Sequence, residues 1–142
     1  MPPDSSPPIT LGRQWIIECY QCDRVILDSP EELEPILIEA ALSAGATVTG
    51  SKFNQYEPQG VSGVVFILES HFTIHTWPEY GYAGVDIFSC GKSVDVGMAI
   101  PVLKDSLKAE EVVLVAELDR GLVDESGNMR LESPLTSGTK PS

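Results

Sequence analysis

Basic residues are scarce in this chain. Its 142 residues include 9 Lys and Arg against 21 Asp and Glu, which gives a formal net charge of −12. Proteins that bind duplex nucleic acid need clustered Lys and Arg for the phosphates, and this sequence has no such cluster. The composition therefore argues against a nucleic-acid partner and leaves most of the carboxylates as solvated surface.

Long apolar runs and cysteine pairs are also lacking. The longest apolar stretches, such as residues 64–68, are far too short to span a bilayer, and the amino terminus shows no secretory signal. The 3 cysteines are an odd number and do not make a disulfide framework. Together these absences favour a cytoplasmic protein without a membrane segment.

Several common site motifs are missing as well. The sequence has no phosphate-binding loop, no Gly-x-Gly-x-x-Gly fingerprint and no Gly-x-Ser-x-Gly elbow. Cys19 and Cys22 have the Cys-x-x-Cys spacing, but only Cys90 and 2 histidines remain as further ligands. No second pair at metal spacing follows, so we predict no metal site.

Length and composition indicate one folded domain with polar ends. Hydrophobic residues make up 42% of the chain, which suits a globular protein. Residues 1–10 contain four prolines and two serines and are predicted to form a flexible leader. Residues 121–142 are rich in Gly, Ser, Pro and charge without any period, which predicts a disordered tail. The domain is therefore expected to span residues 11–120.

Hydrophobic periodicity predicts six strands and two helices in this domain. Ser29 and Asp95 are placed to cap the two helices, while Pro35 and Pro101 fall inside them and predict that the first helix begins later than its cap. The predicted strands cover residues 15–19, 47–53, 63–68, 72–75, 82–88 and 112–118. Strands in hairpins with segregated helices indicate an α+β fold, a two-layer sandwich of an antiparallel sheet with two helices on one face.

The stretch from residue 69 to residue 80 concentrates titratable and aromatic side chains. The only two histidines, His71 and His75, lie within five residues of Ser70. Alternation along a strand would place Thr73 and His75 on one face. Catalytic groups often lie at strand ends and loops, but this crowding alone does not specify a reaction.

A longer pattern around this stretch resembles the bacterial S-adenosylmethionine decarboxylase proenzymes. The matching residues are 69–71, 74–83, 85–86 and 90–91, with 58–65 and, more weakly, 44–48 upstream. The central part of this pattern is long and specific, unlike a lone short motif. The resemblance implies a self-processing, pyruvoyl-dependent decarboxylase of S-adenosylmethionine, which supplies the aminopropyl donor for polyamine (spermidine) synthesis.

The resemblance also implies how the cofactor is made. The chain cleaves itself between Glu69 and Ser70 after the Ser70 hydroxyl attacks the preceding carbonyl. Elimination then releases the upstream chain, and hydrolysis leaves a pyruvoyl group and ammonia. The substrate amine forms a Schiff base with this group, which acts as the electron sink for loss of carbon dioxide.

The same resemblance assigns roles to individual residues. Ser62 corresponds to the residue that stabilises the oxyanion, His75 to the base that removes the Cα proton, and Cys90 to the acid that reprotonates the product. The positions that correspond to substrate contacts are Tyr56, Trp77 and Glu79. His71 is expected to be structural, because one base suffices for the Cα proton.

Some residues depart from the family pattern. Family members often read Phe-His-Lys-Phe where this chain has Phe53-Asn54-Gln55-Tyr56, so the aromatic is kept and the basic pair is lost. This departure leaves open a pyruvoyl-dependent decarboxylase of ornithine or arginine, and an uncleaved binding subunit is a third alternative. Tyr56 and Trp77 could also be core aromatics. By resemblance, the active form is a homodimer of cleaved protomers with its sites near the interface.

Overall fold

The computed structural model describes residues 9–68, 70–90 and 94–131. Its elements, in chain order, are β1 (Ile9–Tyr20), α1 (Arg24–Leu27), α2 (Pro30–Ser43), β2 (Val48–Gln55), β3 (Val61–Ile67), β4 (Ser70–Trp77), a short 3₁₀ helix (Pro78–Tyr80), β5 (Tyr82–Cys90), α3 (Val96–Ser106) and β6 (Glu111–Val123). The fold is α+β, as predicted from the sequence. None of the described helices is long and apolar enough to cross a membrane.

The six strands form one antiparallel sheet in the order β2-β3-β4-β5-β1-β6. Strands β2 to β5 follow one another as a meander, whereas β1 is inserted between β5 and β6. The first strand of the chain is therefore an interior strand. This order could not be read from local periodicity, because it depends on contacts between distant parts of the chain.

Alternation along the strands divides the sheet into two faces. On one face Ile17, Phe72 and Ile87 are fully buried and pack with apolar side chains of α2 and α3 in a single core cluster. The other face, which we call the open face, is not covered by any described helix and carries half-buried or exposed side chains such as Ser62 and His75. The predicted alternation within residues 72–75 is confirmed.

Both predicted helix caps are confirmed. The Ser29 side chain accepts a hydrogen bond from the backbone N–H of Glu32, and the Asp95 side chain accepts one from the N–H of Gly97. The expectation that Pro35 delays the first helix is wrong, because α2 begins at Pro30 directly after its cap. The cap and the buried apolar face outweigh the one backbone hydrogen bond that Pro35 cannot donate.

The folded region extends slightly further than the sequence predicts. Strand β1 begins at Ile9 and β6 continues to Val123, so the predicted ends at residues 11 and 120 both fall inside strands. Ile9 pairs with Val123 in the sheet, which means that each extension provides the hydrogen-bonding partner of the other. Residues 124–131 of the predicted tail are also described, with a turn in which Asp124 bonds to Asn128 and an isolated bridge between Val123 and Met129. Residues 1–8 and 132–142 lie outside the described residues.

Candidate active site

A row of polar side chains crosses three strands of the open face. The register pairs Asn54 of β2 with Ser62 of β3, and Ser62 with His75 of β4. The Ser62 Oγ and the His75 Nδ1 lie 2.8 Å apart, which is a hydrogen bond. The structure therefore brings together two of the residues predicted to take part in self-cleavage.

A small hollow of about 190 Å³ opens over this pair. Its lining residues are Lys52, Asn54, Ser62, Gly63, Val64, Thr73 and His75. Sequence reasoning did not single out Lys52, and it placed Thr73 on the face of His75 without giving it a role. Both become visible once the register is known, because Val64 pairs with Lys52 on one side and with Thr73 on the other. Lys52 places a cation beside the hollow even though the basic pair of the family pattern is absent.

Ser70 lies at the opposite end of β4, where it is the first residue of the strand. Its Oγ accepts a hydrogen bond of 2.9 Å from the backbone N–H of Cys90, the last residue of β5. Ser70 and Cys90 are thus neighbours, as expected for two groups that act at one centre. Glu69 lies outside the described residues.

These two pairs are separated within the chain. Ser70 and His75 are five residues apart in β4, which corresponds to about 16 Å along a strand. The alternation of β4 also directs the two side chains to opposite faces of the sheet. The described residues therefore form two separate pairs, Ser62–His75 at one end of β4 and Ser70–Cys90 at the other.

The three predicted substrate residues lie at the same end of the sheet as Ser62 and His75. Trp77 ends β4 and packs its ring 5.4 Å from that of Tyr82. Tyr56 directly follows β2 and is 53% exposed, so it is not a core aromatic. Glu79 belongs to the 3₁₀ helix and lines a separate hollow of about 610 Å³ together with Arg24 and Asp28.

A carboxylate and two tyrosines form a further polar cluster on the open face. The Tyr82 hydroxyl lies 2.7 Å from both carboxylate oxygens of Glu18, and the ring of Tyr20 packs 5.8 Å from that of Tyr82. Burial, followed by the hydrogen bond to Glu18, raises the pKa of Tyr82. This contact fixes Tyr82, against which Trp77 packs.

The remaining cysteines and His71 have structural surroundings. Cys19 and Cys22 are buried free thiols, and burial raises the pKa of Cys19 to about 12 and that of Cys22 to about 11. A thiol that stays protonated is a poor nucleophile and a poor metal ligand. His71 stacks on Phe88, with ring centroids 6.0 Å apart. Within residues 9–68, 70–90 and 94–131 no cluster of three or more metal-ligating side chains is found.

The sequence and the fold both match a known family of decarboxylases. The sequence pattern of one family, described as S-adenosylmethionine decarboxylase, matches residues 13–121. The chain is 52% identical over 118 residues to a protein of Thermosipho africanus and 51% identical over 118 residues to one of Thermotoga maritima. Each match covers 83% of this chain and 90% of the relative, and both relatives are named S-adenosylmethionine decarboxylase proenzyme.

A solved structure agrees with the sequence matches. The crystal structure of the adenosylmethionine decarboxylase from Aquifex aeolicus superimposes with a TM-score of 0.72 at 32% sequence identity. The superposition covers 84% of this chain and 98% of the other. The chain belongs to the S-adenosylmethionine decarboxylase family.

Proposed function

We propose that this chain is a self-cleaving proenzyme that becomes a pyruvoyl-dependent decarboxylase of S-adenosylmethionine and so supplies the aminopropyl donor for polyamine synthesis. The observation that carries the proposal is the Ser62–His75 hydrogen bond of 2.8 Å, found in a member of this family that also keeps Ser70 and Cys90. Proteins of about 50% identity carry the proenzyme name. Those names favour S-adenosylmethionine over ornithine or arginine as the substrate.

In the proposed cleavage, the Ser70 hydroxyl attacks the carbonyl carbon of Glu69. A new ester bond forms to Oγ while the amide bond to the Ser70 nitrogen breaks. A base then takes the Cα proton of Ser70, and elimination expels the upstream chain as the carboxylate of Glu69. Water converts the remaining dehydroalanine into the pyruvoyl group and ammonia. Ser70 fits this origin, since its Oγ already receives the Cys90 N–H.

The Ser62–His75 pair can serve both steps. When Nδ1–H of His75 donates to Ser62 Oγ, the Nε2 atom is unprotonated and able to accept the Cα proton. The Ser62 hydroxyl then keeps its own hydrogen, which can be donated to the oxyanion that forms on the Glu69 carbonyl oxygen. The two roles therefore require one tautomer of His75.

We propose that a second copy of the chain completes the site. Because His75 lies about 16 Å along β4 from Ser70, the base of one protomer cannot reach the Cα proton of its own Ser70. A homodimer that packs the two open faces together would bring Ser62 and His75 of one protomer to the end of the partner's sheet, where the backbones of its Ser70 and Cys90 meet. It would also cover the sheet face that the helices leave exposed.

After cleavage, the pyruvoyl group supplies the electron sink for decarboxylation. In the proposed site Cys90 returns a proton to the substrate carbon, since its backbone N–H bonds to the Ser70 Oγ and so keeps the two residues adjacent. Trp77 and Tyr56 offer aromatic faces to the adenine, and Glu79 accepts from the ribose hydroxyls. The free thiols are consistent with a cytoplasmic enzyme.

An intact-mass measurement under denaturing conditions tests the cleavage. We expect two fragments that meet at Glu69 and Ser70, the second beginning with a pyruvoyl group. Ser70→Ala should remain a single chain without activity, whereas Cys90→Ala should split but turn over poorly. A wild-type chain that stays intact after long incubation would favour the uncleaved binding subunit, and turnover of ornithine or arginine alone would contradict the proposed substrate.

Mixing two inactive variants tests the shared site. Neither Ser70→Ala nor His75→Ala should split alone, but in mixed dimers the His75→Ala chain should split, because its partner provides His75. The matched control mixes His75→Ala with Ser62→Ala, where every site lacks either Ser62 or His75. Cleavage in the mixture of His75→Ala and Ser62→Ala would exclude a site in which one protomer provides both Ser62 and His75 to its partner. The absence of cleavage in the mixture of Ser70→Ala and His75→Ala would exclude it as well.

A further inference from the structure

We propose that Asp28 is a positioning residue for substrate binding, because its carboxylate fixes the loop between β2 and β3 that carries Tyr56. This inference rests on the proposed function, in which Tyr56 contacts the adenine. Asp28 directly follows α1 and is not part of the sequence pattern that indicated the active site. No role for it follows from the self-cleavage chemistry.

One oxygen of Asp28 holds both ends of this loop. The Gln55 side chain donates from Nε2 to the Asp28 Oδ1 at 3.0 Å and to the Asp28 backbone carbonyl at 2.7 Å. The backbone N–H of Gly60 donates to the same Oδ1 at 2.9 Å. The loop is closed by a bond of 2.8 Å from the Tyr56 N–H to the Gly60 carbonyl. Asp28 thus joins residues 55 and 60, which flank the loop.

These contacts fix the backbone from which the Tyr56 ring projects. Tyr56 is more exposed than buried, so packing against the core does not fix its position. Its backbone is held between Gln55 and Gly60, both of which bond to Asp28. A binding group that is already held in place loses less conformational entropy when the ligand arrives. Removal of the Asp28 acceptor should therefore weaken substrate binding.

The same contacts explain a departure from the family pattern. Neighbouring residues of a strand point to opposite faces, so Asn54 lines the hollow over Ser62 and His75 while Gln55 reaches Asp28. Where family members often have a lysine, Gln55 supplies an uncharged donor to the carboxylate. The replacement of that lysine by Gln55 therefore changes how the loop is bonded to Asp28. It does not change the side chains that line the hollow over Ser62 and His75.

Asp28 also lies close to a second predicted substrate residue. It lines the hollow of about 610 Å³ together with Glu79. The carbonyl of Leu27, its neighbour in the chain, accepts a 2.7 Å hydrogen bond from the Thr76 hydroxyl at the end of β4. The junction of α1 and α2 is therefore bonded both to the loop that carries Tyr56 and to the strand that carries Trp77.

Two substitutions separate the acceptor of Asp28 from its charge. Asp28→Asn keeps an oxygen that can accept from Gln55 and Gly60, whereas Asp28→Ala removes it. We expect Asp28→Ala to raise the KM for S-adenosylmethionine about tenfold with kcat changed less than about twofold, because a loosened loop weakens binding without touching the reacting atoms. Asp28→Asn should stay close to wild type. The Kd of 5′-methylthioadenosine, measured by calorimetry on the cleaved enzyme, should follow the KM.

Asp23 provides the matched control. Its side chain caps the other end of α1 by accepting from the N–H groups of Val25 and Ile26, so Asp23→Ala should lower stability without altering KM. An unchanged KM in Asp28→Ala, or equal losses in Asp28→Asn and Asp28→Ala, would overturn the proposal.

Hydrogen exchange gives a readout that needs no activity. The Gly60 amide should exchange faster in Asp28→Ala than in wild type, and Asp28→Asn should restore its protection. Unchanged exchange at Gly60 would also overturn the inference. If the wild-type chain neither splits nor turns over, the proposed function fails, while the exchange data still report whether Asp28 holds the loop.

Discussion

Replacement of Thr76 by valine should loosen the end of the sheet that carries Ser62 and His75. The Thr76 hydroxyl accepts a 2.9 Å hydrogen bond from the Val61 N–H and donates one of 2.7 Å to the Leu27 carbonyl. The residue is only 6% exposed, so water cannot readily replace these bonds. Valine has the same shape but no hydroxyl, and both backbone groups lose this partner.

The expected magnitude follows from those two contacts. Each buried polar group that loses its partner costs about 1–3 kcal/mol, so with two such groups Thr76→Val should lower the free energy of unfolding by about 2–6 kcal/mol. Thr76→Ser is the matched control, because it keeps the hydroxyl and removes one methyl group, at about 1 kcal/mol. Since Val61 and Thr76 adjoin Ser62 and His75 in the chain, self-cleavage of Thr76→Val should also be slower than that of Thr76→Ser.

Urea unfolding in a Ser70→Ala background gives the measurement, because that chain stays uncleaved. Protein concentration must be held constant, since the stability of a dimer depends on it. If Thr76→Val is as stable as wild type, or more stable than Thr76→Ser, the hydroxyl does not link the two strands and α1 in the way described.

Three further substitutions or conditions test the packing. A Cβ at residue 63 would lie 2.0 Å from the Phe53 ring, so Gly63→Ala should cost about 1–3 kcal/mol in urea unfolding, and Phe53→Ala in the same chain should recover part of it. Burial raises the pKa of Cys19 from 9.0 to about 12. Between these two pH values the thiol is therefore ionised in the unfolded chain but still protonated in the folded one. The free energy of unfolding should therefore fall above pH 9 by about 1 kcal/mol per pH unit, less steeply in Cys19→Ala; a flat profile would contradict this. A Cβ at residue 12 would lie 2.9 Å from the Phe88 ring, so Gly12→Val should displace that ring. Because Phe88 stacks on His71, the neighbour of Ser70 in the chain, self-cleavage should become slower. An unchanged circular dichroism spectrum is the control for folding.

Local signals in the sequence predicted much of the fold. Ser29 and Asp95 marked both long helices because a cap requires a short polar side chain at a defined position. Helix α1 was missed, since Arg24–Leu27 is too short to show a 3.6-residue period. Its signal was Asp23, whose side chain accepts from two N–H groups of that helix. The 3₁₀ helix was missed for the same reason.

The site was predicted less completely than the fold. Resemblance singled out Ser62, Ser70, His75 and Cys90 but not their division into two separate pairs. The spacing held part of this information, because five residues of an extended strand cover about 16 Å, but the predicted strand, residues 72–75, did not reach Ser70. The contact of Asp28 with the Tyr56 loop joins residues far apart in the chain, and no local pattern reveals such a contact.

The strand order determines how the two fragments would stay together after cleavage. A break between residues 69 and 70 would leave β1, β2 and β3 on one fragment and β4, β5 and β6 on the other. In the sheet order β2-β3-β4-β5-β1-β6 these strands interleave, so neither fragment can form a continuous half of the sheet. The cut chain would hold together as long as it stays folded, but once unfolded it would have to reassemble from two molecules. Maturation would thereby make the loss of the native state effectively irreversible.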